Sequence, residues 1–112
     1  MTIDAARITG YHAHVYYKPA TRPEAERLRQ AVGENFAVRL GGWHDQPVGP
    51  HPVGMYQVAF QAAAFARLVP WLMLNHGALS ILIHPLTGDD LADHRDYPLW
   101  LGAALPLRLD QL

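Results

Sequence analysis

Apolar and polar positions alternate along residues 9–17, Thr-Gly-Tyr-His-Ala-His-Val-Tyr-Tyr, and β-forming side chains dominate them, which predicts a first strand. Thr21, with Pro23 behind it and Glu24 three positions on, has the pattern of a helix start closed by a capping box. That helix is predicted to run to about Val32 and to end at Gly33. Phe36, Val38 and Leu40 alternate with Ala37 and Arg39, a second strand over 35–40. Residues 41–54 are rich in Gly and Pro and read as loop. Met55 to Phe60 is a third strand. Ala62 to Asn75 is a second helix, closed by Asn75 and Gly77. Leu79 to Ile83 is a fourth strand, stopped by Pro85. Residues 86–112 hold a short helical piece near Asp89–Arg95 and then an apolar end broken by prolines.

The order β-α-β-β-α-β predicts an α+β, ferredoxin-like sandwich. It has a four-stranded antiparallel sheet with the helices on one face. The first and third strands are expected to be central and to run the same way, with the fourth flanking the first. Side chains two apart share a face of a strand. In each strand one set suits a core beneath helices, as Ala13, Val15 and Tyr17 do in the first. The other set gathers His12, His14, Tyr16, Arg39, Gln57 and His84 on the open face. Met55, Ala59 and Leu82 share that face and are apolar enough to want covering, so a homodimer pairing through the open sheet face is expected. Residues 98–112, with Trp100 and several leucines, could cover a partner or the pocket.

The pattern sends His12, from the first strand, and His84, from the end of the fourth, to one corner. His51, just ahead of the third strand, joins them, and His14 lies a pleat further in. Buried imidazoles need partners for both ring nitrogens, and a divalent cation satisfies several at once. His44, in a loop, and His76, beside a helix end, read as a surface residue and a helix C-cap.

Composition sharpens this picture. At 112 residues the chain is expected to form one domain, and half of it is apolar. The formal charge is -1 with no Lys/Arg block, which argues against a nucleic-acid partner. There is no cysteine, so any metal must be held by His, Asp or Glu. Seven histidines stand against one lysine, Lys18. Imidazole ligands suit zinc, copper and iron(II) rather than calcium or magnesium. No acid lies on the open face; the nearest are Asp89, Asp90, Asp93 and Asp96, so the site is either all-histidine or completed by an acid from the tail. The N-terminus lacks a secretory pattern, and the most apolar run, 65–74, contains Arg67 and Pro70 and is too short for a bilayer. A cytoplasmic protein with no membrane partner is expected.

Three stretches together resemble a known family. They are Gly10-Tyr11-His12-Ala13-His14-Val15-Tyr16-Tyr17, then Gly49-Pro50-His51-Pro52 running into Met55-Tyr56-Gln57, and Leu74-Asn75-His76-Gly77 continuing through Ile83-His84-Pro85 to Asp89-Asp90. With Asp93-His94 and Trp100-Leu101-Gly102 they are similar to the DOPA 4,5-dioxygenase family over nearly the whole chain. The resemblance implies a dimeric ferredoxin-like fold and extradiol cleavage of a catechol such as DOPA by dioxygen, with Fe(II) as cofactor and zinc or nickel as substitutes in purified protein. It places the family's histidines at His12, His14, His51, His84 and His94.

On that footing His12, His51 and His84 are the expected metal ligands. His14 or His94 would serve as acid and base, and Tyr16 would contact a substrate oxygen. Arg39, Gln57 and Arg95 are the candidates for substrate binding, the arginines through a carboxylate. Arg95 could equally do no more than bridge the nearby aspartates. Two other classes fit the same pattern: a non-catalytic small-molecule-binding domain, and another enzyme on this scaffold, such as a zinc hydrolase or a cofactor-independent monooxygenase.

Overall fold

The computed structural model describes all residues, Met1–Leu112. Strand β1 spans Tyr11–Tyr17, helix α1 Arg22–Asn35, β2 Arg39–Leu40, β3 Gly54–Phe60, α2 Ala62–Asn75, β4 Ser80–Pro85, α3 Asp90–Arg95 and β5 Leu99–Leu101. The sheet order is β2-β3-β1-β4-β5, and every neighbouring pair is antiparallel. Helices α1 and α2 cover one face. They bury Ala25, Leu28 and Val32 from one and Leu68, Val69 and Leu72 from the other, the spacing of an apolar helical stripe. Against them pack Ala13, Val15 and Tyr17, Tyr56, Val58 and Phe60, and Ile81 and Ile83, the inward sets expected for these strands. No helix is long and apolar enough to cross a membrane.

Several expectations need correction. Strands β1 and β3 run in opposite directions, Tyr11 facing Phe60 and Tyr17 facing Gly54. The connectivity requires it: a crossover through α1 returns β2 parallel to β1, and β3 pairs antiparallel with β2. The sheet also has a fifth strand, since Leu99–Leu101 pairs with Ile81–Ile83. Helix α1 runs two residues past Gly33, and β2 shrinks to two residues. Gly33 is a point of close approach: a Cβ there would lie 3.1 Å from Leu40 Cδ1. Nor does the capping box form. Thr21 Oγ1 accepts from Lys18 N, and Glu24 reaches across to accept from Ala78 N at 3.1 Å in the turn between α2 and β4. Gly77 in that turn has φ +56°, and a Cβ there would collide with the Glu24 carboxylate.

The second sheet face is not bare. Tyr16, Met55 and Leu82 form a small buried cluster with Val53, Trp100, Leu105 and Leu107 from the loop and the tail. Arg108 N donates to Pro50 O at 2.8 Å, tying the tail to the loop that carries His51. The apolar demand at Met55 and Leu82 is thus met within the chain.

Candidate metal centre

The register places the site. Across the sheet, Arg39 of β2 faces Ala59 of β3, Ala59 faces His12 of β1, and His12 faces His84 of β4. One pleat along, Gln57, His14, Leu82 and Trp100 form the next row on the same face. His12, His14 and His84 therefore meet, and one nitrogen from each lies within 4.8 Å of the others. His84 and His14 are 1% and 3% exposed, while His12 is partly open.

Hydrogen bonds fix the tautomers. Nδ1 of His84 lies 2.9 Å from Pro85 O, so it carries the hydrogen and donates, leaving Nε2 as a bare lone pair. That Nε2 is 3.1 Å from His14 Nε2. Nδ1 of His14 is buried with no partner. An orphaned imidazole nitrogen costs free energy, and a carbonyl holding the far side of a histidine is the usual support of a metal ligand. Ligands sharing one ion, with bonds of about 2.0–2.1 Å, sit roughly 3 Å apart, as these two nitrogens do. Three imidazoles and no carboxylate make up the cluster, so the donor set fits iron(II) or zinc and not an oxygen-seeking cation.

Two further histidines border the triad. His51 enters from the loop before β3 and its ring lies 4.2 Å from that of His14. Because β3 is antiparallel to β1, His51 arrives from the Tyr17 end of β1 and folds back over the face; it does not start beside His12, as expected. Nδ1 of His51 is 2.7 Å from Tyr16 Oη. Burial raises the Tyr16 pKa, so the phenol stays protonated in this bond. The tautomer in which Tyr16 donates leaves the His51 hydrogen on Nε2. His94, on α3, donates from Nδ1 to Asp90 O at 2.7 Å and holds its ring 4.1 Å from that of His84. Its Nε2 is left as the basic nitrogen.

All the central imidazoles are held neutral. Burial lowers His84 and His51 to about 4, with His94 adding to both. It lowers His14 well below the usual range, reinforced by His51, His84 and the other rings. His12 is lowered by burial and then by His94, with Asp90 opposing. Neutral imidazole is the form that binds a metal.

The tail brings no acid into the cluster. Asp93 is buried, but Thr87 N and Thr87 Oγ1 occupy its two oxygens. Asp89 accepts from Ala92 N, and Asp96 takes both arms of Arg95 at 2.8 and 2.9 Å. Arg95 is thus paired with the neighbouring Asp96. Arg39 is exposed and makes no ion pair; Gln57 is half-buried, opposite His14. His44 is exposed and His76 is the C-cap of α2, in line with expectation. The Tyr16–His51 bond was not legible in the sequence, because the 41–53 loop has no periodicity from which to trace its path. His14 was within reach: His12 opposite His84 puts His14 on the same face, two residues along.

The chain matches the Dopa 4,5-dioxygenase family over residues 11–111. It is 38% identical over 120 residues, 99% of this chain and 53% of the relative, to a DOPA 4,5-dioxygenase from Amanita muscaria. To a 21.2 kDa uncharacterized protein of Botryotinia fuckeliana it is 32% identical over 122 residues, 96% of this chain and 65% of that protein. The chain thus spans about half to two thirds of the length of these relatives. A crystal structure of a candidate dioxygenase from Nostoc punctiforme superposes with a TM-score of 0.96 at 54% identity, over 97% of this chain and 95% of that one. A histidine triad able to hold a metal, set in this fold and accompanied by these matches, has one reading: the chain belongs to the Dopa 4,5-dioxygenase family.

Proposed function

We propose that this chain catalyses iron(II)-dependent extradiol opening of a catechol ring by dioxygen. The substrate class is catechols with a side chain, which includes DOPA and related dihydroxyphenyl acids. The observation that carries the proposal is the meeting of His12, His14 and His84 nitrogens on the open sheet face of a member of this family. In this reading these three hold the metal, and His51, expected from the sequence as a ligand, stands beside them. Iron(II) bound there would supply Lewis acidity toward the catechol oxygens and the one-electron chemistry that lets dioxygen react with an aromatic ring.

The protein's own groups divide the proton work. His94 has a free Nε2 and a ring beside His84, so it is placed to accept a phenolic proton from the substrate. With Tyr16 donating to its Nδ1, a neutral His51 would present an Nε2–H as a hydrogen-bond donor to a substrate or dioxygen oxygen. Tyr16 orients His51 and holds that tautomer, a role in place of direct substrate contact. Gln57, opposite His14, offers an amide to a substrate oxygen.

The test is oxygen uptake, with the visible spectrum followed, on protein loaded anaerobically with iron(II) and given DOPA, caffeate or protocatechuate. Oxygen consumed one-for-one with substrate, with a new yellow semialdehyde chromophore, is expected. Tight iron binding with no oxygen uptake from any of the three would reject the reading, and hydrolytic activity with zinc would replace it by the metallohydrolase class.

A further inference from the structure

Beside the triad, on the side away from α3, lies a cavity of about 430 Å³. Its walls include His12, Arg39, Gln57, Ala59 and Gln61. The strand register gives it an order: Arg39, Ala59, His12 and His84 lie in one row across β2, β3, β1 and β4. Neighbouring strands are about 4.8 Å apart, so the Arg39 and His12 backbones are separated by about 10 Å with only a methyl side chain between them. That gap has the width of an aromatic ring and a short side chain.

The charges in the cavity are of one sign. Arg39 is the only formally charged lining residue, and no Asp or Glu lines the cavity. It forms none of the ion pairs that occupy Arg22 and Arg95. The carboxylate that acts on His12, Asp90, belongs to α3 and does not line this cavity.

We propose that this cavity is a carboxylate-directed substrate seat. Arg39 takes the side-chain carboxylate of the catechol, the ring lies over Ala59, and the hydroxyls point to His12 and His84. A side chain that also carries an ammonium group finds no acid here and meets the field of Arg39. The preferred substrate is therefore an anionic dihydroxyphenyl acid and not a zwitterionic amino acid. This rests on the dioxygenase reading for the placing of the hydroxyls, but the recognition of the carboxylate is separable from it.

Anaerobic calorimetric titration of the full chain with iron(II) present measures binding without turnover. The probes are caffeate, DOPA and 4-methylcatechol, which carry a carboxylate, a zwitterion and no charge. A bidentate Arg–carboxylate contact at an exposed position is expected to favour caffeate over 4-methylcatechol by about five- to tenfold. DOPA should bind several-fold more weakly than caffeate. In Arg39→Gln, caffeate and 4-methylcatechol should bind alike, and Arg39→Lys should restore part of the preference. Ala59→Leu, which fills the ring seat, should weaken all three. Arg39 is exposed on a two-residue edge strand, so the two Arg39 variants do not threaten the core. Equal binding of caffeate and 4-methylcatechol, an undiminished preference in Arg39→Gln, or DOPA binding as tightly as caffeate would each overturn the proposal. If the binding order holds and no oxygen is consumed, the seat stands and the dioxygenase reading falls. Oxygen uptake without the order has the reverse meaning.

Discussion

His14 shows at the scale of one residue why the site asks for a cation. It is buried, one nitrogen has no partner, and the other faces a lone pair on His84. Removing a ligand should therefore remove the metal and not merely slow the reaction. His84→Ala is expected to lower bound iron from near one per chain to near zero, measured by metal analysis after desalting; His44→Ala, at an exposed loop position, should retain it. Full occupancy in His84→Ala would show that other residues hold the ion. Tyr16→Phe leaves the triad intact but strips the hydrogen-bond partner from His51 Nδ1, at a cost of about 1 kcal/mol for a net hydrogen bond. The variant should keep its iron and lose turnover, with His51 free to exchange tautomers, visible in its ring nitrogen shifts by NMR. The sequence carried His12, His14 and His84 to a common face through alternation alone. It placed His51 beside His12 and not against the ring of His14, because that position depends on a loop path set by tertiary contacts such as the Arg108–Pro50 bond.

At the scale of elements, three of the strands and both long helices were legible because their apolar periods are long and uninterrupted. The misreadings share a physical cause: a local signal used for a tertiary purpose. Gly33 looked like a helix stop and instead makes room for Leu40. Glu24 looked like a capping partner and instead holds the turn at Ala78. The segment Leu99–Leu101 is too short to show alternation, yet it completes the sheet edge beside β4. Its role predicts a phenotype. Trp100 stacks on Tyr16 with ring centroids 5.9 Å apart, and with Leu105 and Leu107 it covers Met55 and Leu82. Trp100→Ala should cost about 2 kcal/mol, below the full-burial value because the ring is partly exposed. Removing residues 103–112 should bare the same cluster and promote self-association, seen as a rise in apparent mass by light scattering between micromolar and tenfold higher concentration. No change in mass or stability would mean that the tail leaves this face in solution.

For the molecule as a whole, the neutral histidine cluster links stability to pH and to metal. His51 and His84 titrate near 4 in the folded state, against about 6.5 in the unfolded chain. Between those values the unfolded chain binds more protons, so its population grows as the pH falls. The metal-free protein should hold its full stability above about pH 6.5 and lose a few kcal/mol by pH 4, the two histidines contributing less than their sum because they share neighbours. Metal acts on the same balance from the other side, since it binds imidazole only when neutral. At one hundred times its dissociation constant an ion adds about 2.7 kcal/mol, or roughly 10–20 °C of melting temperature for a chain of this size. Melting curves with iron(II) under nitrogen, and with chelator, should therefore be widely separated at pH 7.5 and close together at pH 5, where protons displace the ion. A metal-free melting temperature that stays flat from pH 7 to pH 4.5 would mean that the histidines are solvated in solution, and the triad would lose its standing as a closed metal site. A separation that persists unchanged at pH 5 would instead assign the metal to carboxylates, against the all-imidazole set on the sheet.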